Sequence, residues 1–89
     1  MRVVLHNIAE KYLIRLNAAD RNRMIAAIDG LEKEPLEGNI RPYEGSKGLL
    51  RLKVGGYRVL FKIENNEILV THIEPRGQAY TKKTRKKRG

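Results

Sequence analysis

Eighty-nine residues suffice for one domain around a single core, with roughly 60% of the unfolded surface buried on folding. The absence of cysteine and the presence of only two histidines exclude a disulfide framework, a cysteine zinc site and a histidine-rich metal site, and no cofactor is expected. The net charge of +9 is collected at one end: residues 1–74 hold 12 basic and 10 acidic side chains, whereas residues 75–89 hold seven basic and none acidic.

In chain order, residues 2–6 (Arg-Val-Val-Leu-His) form a short β-branched run that predicts a first strand. Asn7 followed by Glu10 resembles a capped helix start, so a helix is expected from about Ile8, with Ile8, Tyr12, Leu13 and Leu16 on its apolar stripe. Asn17 interrupts, Asp20 can cap again, and Met24, Ile25, Ile28 and Leu31 continue at helical spacing, giving a helical hairpin whose stripes pack on a sheet. Glu34-Pro35 is expected to end the second helix, because the residue before proline avoids the helical region. Residues 35–48 carry three glycines and two prolines without a regular period, and read as a long loop in which Arg41, Tyr43 and Lys47 are connector residues.

Beyond the loop, Leu50, Leu52 and Val54 alternate with Arg51 and Lys53, the period of a strand with one apolar and one wet face. Gly55-Gly56 offers a two-residue turn, which sets Val54 opposite Tyr57, Lys53 opposite Arg58, Leu52 opposite Val59 and Arg51 opposite Leu60. Arg51, Lys53 and Arg58 then share one face. Opposing Lys53 to Arg58 costs several tenths of a kcal/mol unless an anion sits between them, which points to a phosphate-binding surface. Two further alternating runs, residues 57–64 and 67–74, meet at Asn65-Asn66 and complete a three-stranded antiparallel meander. A regular register places Val59, Phe61, Ile63, Ile68, Val70 and His72 toward the helices, and leaves Leu60, Leu69 and Ile73 beside the cations. His72 reads as a hydrogen-bonded core residue. Residues 81–89 form a basic tail after a domain spanning residues 1–80, suited to RNA, DNA or an acidic protein segment. No apolar run approaches the length of a membrane span and the N-terminus has no basic stretch followed by a hydrophobic block, so a cytoplasmic chain without membrane association is expected.

The whole length resembles the RelE/ParE superfamily of bacterial toxins. The resemblance rests on a first strand and helical hairpin, then Leu-Arg-Leu-Lys-Val-Gly-Gly-Tyr-Arg-Val-Leu-Phe at residues 50–61 and Pro-Arg-Gly-Gln-Ala-Tyr at residues 75–80. It implies an α+β, RelE-like fold in the order β-α-α-β-β-β. RelE-type members are ribosome-dependent endoribonucleases that cut mRNA and are silenced by an antitoxin; ParE-type members share the fold and inhibit DNA gyrase. By resemblance Arg51 and Lys53 match the basic strand positions, Arg58 the arginine after Gly-Tyr, and Arg76 and Tyr80 the C-terminal catalytic pair. Some active relatives have lysine where this chain has Arg51, which keeps its proton and cannot be a base.

Metal-independent cleavage of RNA requires removal of a 2′-hydroxyl proton, stabilisation of the phosphorane and protonation of the leaving 5′-oxygen. No His-His or His-Glu pair is evident in the sequence, so a cationic set acting mainly by electrostatics is the expected solution. Arg51 and Arg58 would hold the phosphate with planar guanidinium forks, and Lys53 would add charge and is a candidate base. Arg76 would stabilise the transition state or leaving oxygen, while Tyr80 would stack on a base or take the 2′-proton. Lys82, Lys83, Arg85, Lys86, Lys87 and Arg88 would dock on ribosomal RNA. The expected partners are a cognate antitoxin, the ribosome and mRNA. A gyrase-binding toxin and a non-catalytic basic RNA-binding module are the alternatives left open by the sequence.

Overall fold

A computed structural model describes residues 1–33, 38–45 and 48–75. Strand β1 (Arg2–Leu5) is followed by helices α1 (Asn7–Arg15) and α2 (Ala18–Asp29), a 3-10 turn (Gly30–Glu32), and strands β2 (Asn39–Pro42), β3 (Leu50–Val54), β4 (Tyr57–Glu64) and β5 (Glu67–Pro75). The strands make one five-stranded sheet in the order β1-β5-β4-β3-β2, with β1 parallel to β5 and the other pairs antiparallel. The expected α+β arrangement of a first strand, two helices and a meander is present, with one strand more.

That extra strand is β2, inside the segment whose sequence reads as loop. It pairs only with β3, so it is the sheet edge, where the missing amide of Pro42 disturbs no inner ladder. Four residues are too few to display a period, and only Ile40 of the four is more than slightly covered. Gly38 precedes it at a φ of +121°, and a Cβ there would lie 2.5 Å from Leu52 Cδ1, so both the backbone angle and the close approach to β3 require glycine.

The helix ends also differ from the sequence expectation. The His6 side chain, not that of Asn7, caps α1 by accepting from the Ile8 amide at 3.3 Å. Asn17 caps α2: its Oδ1 accepts from the Asp20 amide at 2.9 Å, and Asp20 occupies the first turn, where the helix dipole favours a negative charge. Arg21 of α2 donates to the Leu16 carbonyl at 2.7 Å and the Ile14 carbonyl at 3.2 Å, supplying partners to the end of α1. α2 stops at Asp29 rather than at Glu34, and the chain tightens into the 3-10 turn that delivers Leu31 to the core.

α1 lies over β5 and α2 reaches β3. Between the layers sit Phe61, Met24, Leu31, Leu52, Ile68, Val59 and Val70, all fully buried; each large apolar side chain contributes about 1.5–3 kcal/mol relative to exposure. Ile8 and Ile25, expected on the packed stripes, are instead exposed, because the layer turns only part of each helix toward the sheet.

The last correction concerns β5. Leu60 faces His72 while Phe61 faces Val70, so Thr71 is an extra residue on β5, a β-bulge. Its hydroxyl donates to the Leu60 carbonyl at 3.3 Å. Every side chain after Thr71 changes face. His72 is exposed rather than a core residue, Ile73 is buried rather than beside the cations, and Glu74 stands opposite Arg58. An apolar side chain thereby enters the core and two polar ones leave it, which is the energetic reason for the bulge.

Candidate phosphate-binding site

The Gly55-Gly56 turn forms as the sequence indicates, with Gly55 at a φ of +57°, and the ladder pairs Lys53 with Arg58 and Arg51 with Leu60. β2 adds Arg41 opposite Arg51 and Asn39 opposite Lys53. Two like-charged cross-strand pairs therefore stand side by side on the sheet face away from the helices. A cleft of about 570 Å³ opens over them, lined by Arg41, Pro42, Tyr43, Glu44, Arg51, Lys53 and Arg58.

The cations differ in how they are held. Arg41 and Lys53 are exposed and Arg51 is half-buried. Arg58 is the most enclosed, its side chain 14% exposed, with Nη2 3.2 Å from the Glu74 carboxylate and its guanidinium over the Tyr43 ring at 5.9 Å from the centroid. Arg58 thus forms the floor of the cleft, and the bulge supplies its carboxylate. Lys62, on the same face, pairs with Glu64 at 3.4 Å and is not among the cleft residues.

Arg58 is positioned by the residue before it. Tyr57 donates its hydroxyl to Asp20 at 2.9 Å and packs edge-on against Tyr12, with ring centroids 6.3 Å apart, so the start of β4 is tied to both helices. The Asp20 hydrogen bond, then burial and the Asp20 charge, raise the Tyr57 pKa against the opposing charge of Arg23; burial, then the Glu74 charge, raise that of Tyr12. Both phenols are neutral hydrogen-bonding or packing groups at pH 7.

Of the residues named from sequence, Arg51, Lys53 and Arg58 are brought together. Arg76, Tyr80, Lys82, Lys83, Arg85, Lys86, Lys87 and Arg88 lie outside the described residues. Arg41 and Tyr43, read as connectors, line the cleft, and Glu74 enters it only through Arg58. Arg-x-Tyr directly after an Asn-Ile pair is an alternating run and was the available signal; its brevity concealed it. Next to this cleft is a second one of about 520 Å³, lined by Pro42, Tyr43, Gly45, Gly48, Leu49, Leu50 and Ile63.

A family model described as the ParE toxin of the type II toxin-antitoxin system parDE matches residues 3–80. The chain belongs to the RelE/ParE family of type II toxins. The toxin is 30% identical to a chain of the archaeal RelE-RelB complex from Pyrococcus horikoshii OT3, over 86% of its own length and 96% of the other, with a TM-score of 0.73. The RelB-RelE antitoxin-toxin complex from Methanococcus jannaschii (18% identity, 91% and 99% covered, TM-score 0.71) and the chromosomal ParDE system of P. aeruginosa (16% identity, 84% and 95% covered, TM-score 0.63) share its fold. No curated protein matches the toxin. Among the described residues no helix is long and apolar enough to cross a membrane.

Proposed function

We propose that this toxin is a RelE-type endoribonuclease that cuts mRNA on the ribosome and thereby stops translation. The observation that carries the reading is the cation cluster: Arg41 against Arg51 and Lys53 against Arg58, in one cleft. The Arg41–Arg51 pair costs several tenths of a kcal/mol in the empty protein, and the Lys53–Arg58 pair less, because the Glu74 carboxylate already offsets Arg58. A phosphodiester relieves that repulsion, and the cost becomes stabilisation of the charge that grows in the transition state.

In this reading Arg41, Arg51 and Lys53 reach the non-bridging oxygens, while Arg58, braced by Glu74 and Tyr43, presents a guanidinium of fixed position from below. The 2′-oxygen loses its proton and bonds to phosphorus, the bond to the 5′-oxygen breaks, and that oxygen takes up a proton. A 2′,3′-cyclic phosphate and a 5′-hydroxyl result. Lys53 and Tyr80 are the candidates for the first proton transfer, and Arg76 for stabilising the leaving oxygen. A site made chiefly of cations gains from a ribosome that bends the mRNA into an attack geometry. Lys82, Lys83, Arg85, Lys86 and Lys87 would dock on ribosomal RNA, with affinity falling as salt rises. A cognate antitoxin is the protein partner, by analogy with the RelE-RelB complexes of the similar structures.

Primer extension on translated mRNA tests the reading. Codon-positioned cuts are expected from the wild type, with Arg51→Ala or Lys53→Ala reducing cutting by about a hundredfold or more while the circular dichroism spectrum is unchanged. The second reading, a gyrase inhibitor acting by binding, is favoured by the family model's own description as a ParE toxin. Inhibition of gyrase supercoiling without mRNA cuts would establish it instead.

A further inference from the structure

We propose that Glu44 takes the 2′-hydroxyl proton, and that Lys53, at the other end of the cationic cleft, keeps its own proton and serves the leaving oxygen. This rests on the ribonuclease reading and assigns the step for which a cluster of cations offers no ready acceptor. Arginines do not give up a proton, which removes Arg41, Arg51 and Arg58 from the lining residues, and Pro42 has no titratable side chain. An ordinary lysine amine is neutral in only about one molecule in a few thousand at pH 7, and an ordinary phenol is no readier to accept. Glu44 is the one carboxylate among the described residues that line the cleft. A carboxylate accepts a proton without first having to lose one.

Three features of the fold support the assignment. The first is order along the strands: β2 pairs Arg41 with Arg51, the Tyr43 amide donates to the Leu49 carbonyl beyond that pair, and Glu44 follows at this end of the cleft. Lys53 lies in the opposite direction, about 7 Å along β3 from Arg51. The arginine pair thus stands between a carboxylate and an ammonium. Displacement at phosphorus needs that order, because the attacking and leaving oxygens lie in line on opposite sides of the phosphorus atom. Second, Glu44 is exposed and makes no ion pair or hydrogen bond with another described residue, whereas Glu74 is engaged by Arg58 and Glu64 by Lys62. Its oxygens are open to a ligand. Third, a carboxylate beside a bound phosphate weakens binding by repulsion, so a site that only gripped an anion would gain nothing from Glu44. In the step itself the 2′-oxygen gives its proton to a Glu44 oxygen and its electron pair to phosphorus. The bond from phosphorus to the 5′-oxygen breaks, and that oxygen takes a proton from the Lys53 ammonium.

The test is single-turnover cutting of mRNA on programmed ribosomes, read by primer extension, beside binding to the same ribosomes carrying mRNA with a 2′-deoxyribose at the cut position. Glu44→Gln, a nearly isosteric change at an exposed site, should slow cutting about a hundred- to ten-thousandfold. Binding should be unchanged or tighter, since a negative charge leaves the cleft. The defect should persist on mRNA whose 5′-bridging oxygen at the cut is replaced by sulfur, a leaving group that needs no proton. On that substrate Lys53→Met should regain a larger share of its lost rate than Glu44→Gln. Cutting by Glu44→Gln within a few-fold of wild type overturns the assignment and leaves the ribonuclease reading standing. A loss of binding as large as the loss of cutting also overturns it, as does recovery of Glu44→Gln on the sulfur substrate equal to that of Lys53→Met. Absence of cuts by the wild type removes the ribonuclease reading, and this step with it.

Discussion

The two hairpins of the meander share strand β4 and are both closed by residues suited to positive φ, Gly55-Gly56 in one and Asn65-Asn66 in the other. The first keeps its register from turn to end, whereas the second loses it at Thr71. In the first, apolar and charged residues alternate along β3, and Leu60 is the one apolar residue of the hairpin on the charged face, so turn and core demand the same pairing. In the second, the turn demands that Ile73 face the cations, while burial demands that it face the core. Burial wins by inserting a residue. The difference teaches that a turn sets register only as far as the hydrophobic pattern agrees with it. Here the consequence is chemical, since the same insertion brings Glu74 to Arg58.

Ile73→Asp is the most drastic way to break this contrast. It removes the apolar side chain whose burial the bulge secures, and either the new carboxylate in the present register or Glu74 in a regular one must then face the core. A loss on the order of 3–5 kcal/mol is expected, enough to unfold a small domain, because a carboxylate is driven into an apolar core. A urea unfolding midpoint equal to that of the wild type would show that burial of Ile73 does not set the register.

A subtler change keeps the bulge and removes its electrostatic product. Glu74→Gln withdraws the carboxylate from an arginine whose side chain is only 14% exposed, and should cost about 1–2 kcal/mol, less than a fully buried pair because Glu74 itself is 31% exposed. Urea titration gives the stability. At the same time RNA affinity in low salt should rise, since one negative charge leaves the floor of the cleft; a fall in affinity would mean that Glu74 serves the RNA rather than competing with it.

The smallest effect is sought in the first hairpin, where Lys53→Thr removes the like charge opposite Arg58 and introduces a β-branched residue. Stability should increase by a few tenths of a kcal/mol, and the gain should shrink as salt is added. Lower stability at low salt would argue that the cations on this face do not repel one another, and with it that no anion is needed between them.

Much of the site was legible because it lies where local signals agree. Arg51, Lys53 and Arg58 share a face for the same reason that Leu52, Val54 and Val59 do: period-2 alternation on both sides of a two-glycine turn leaves no competing register. The apolar spacing of Met24, Ile28 and Leu31 likewise fixed one side of the core. What a linear reading could not supply was any outcome decided by competition between distant groups. β2 exists because β3 offers its edge, and Arg41 and Tyr43 become cleft residues with it. The helix caps passed to His6 and Asn17 because several polar side chains near each helix start could accept, and the packed backbone selected one.

By its own pattern, then, the chain determined that there would be two helices and a meander, and that three cations would stand together on the meander's open face. Only the folded arrangement decided which carboxylate meets them and which edge strand adds a fourth. The division has one physical origin. Alternation and turn angles are properties of neighbouring residues, whereas the bulge and the edge pairing depend on free energies gained only when segments far apart in sequence bury surface against each other.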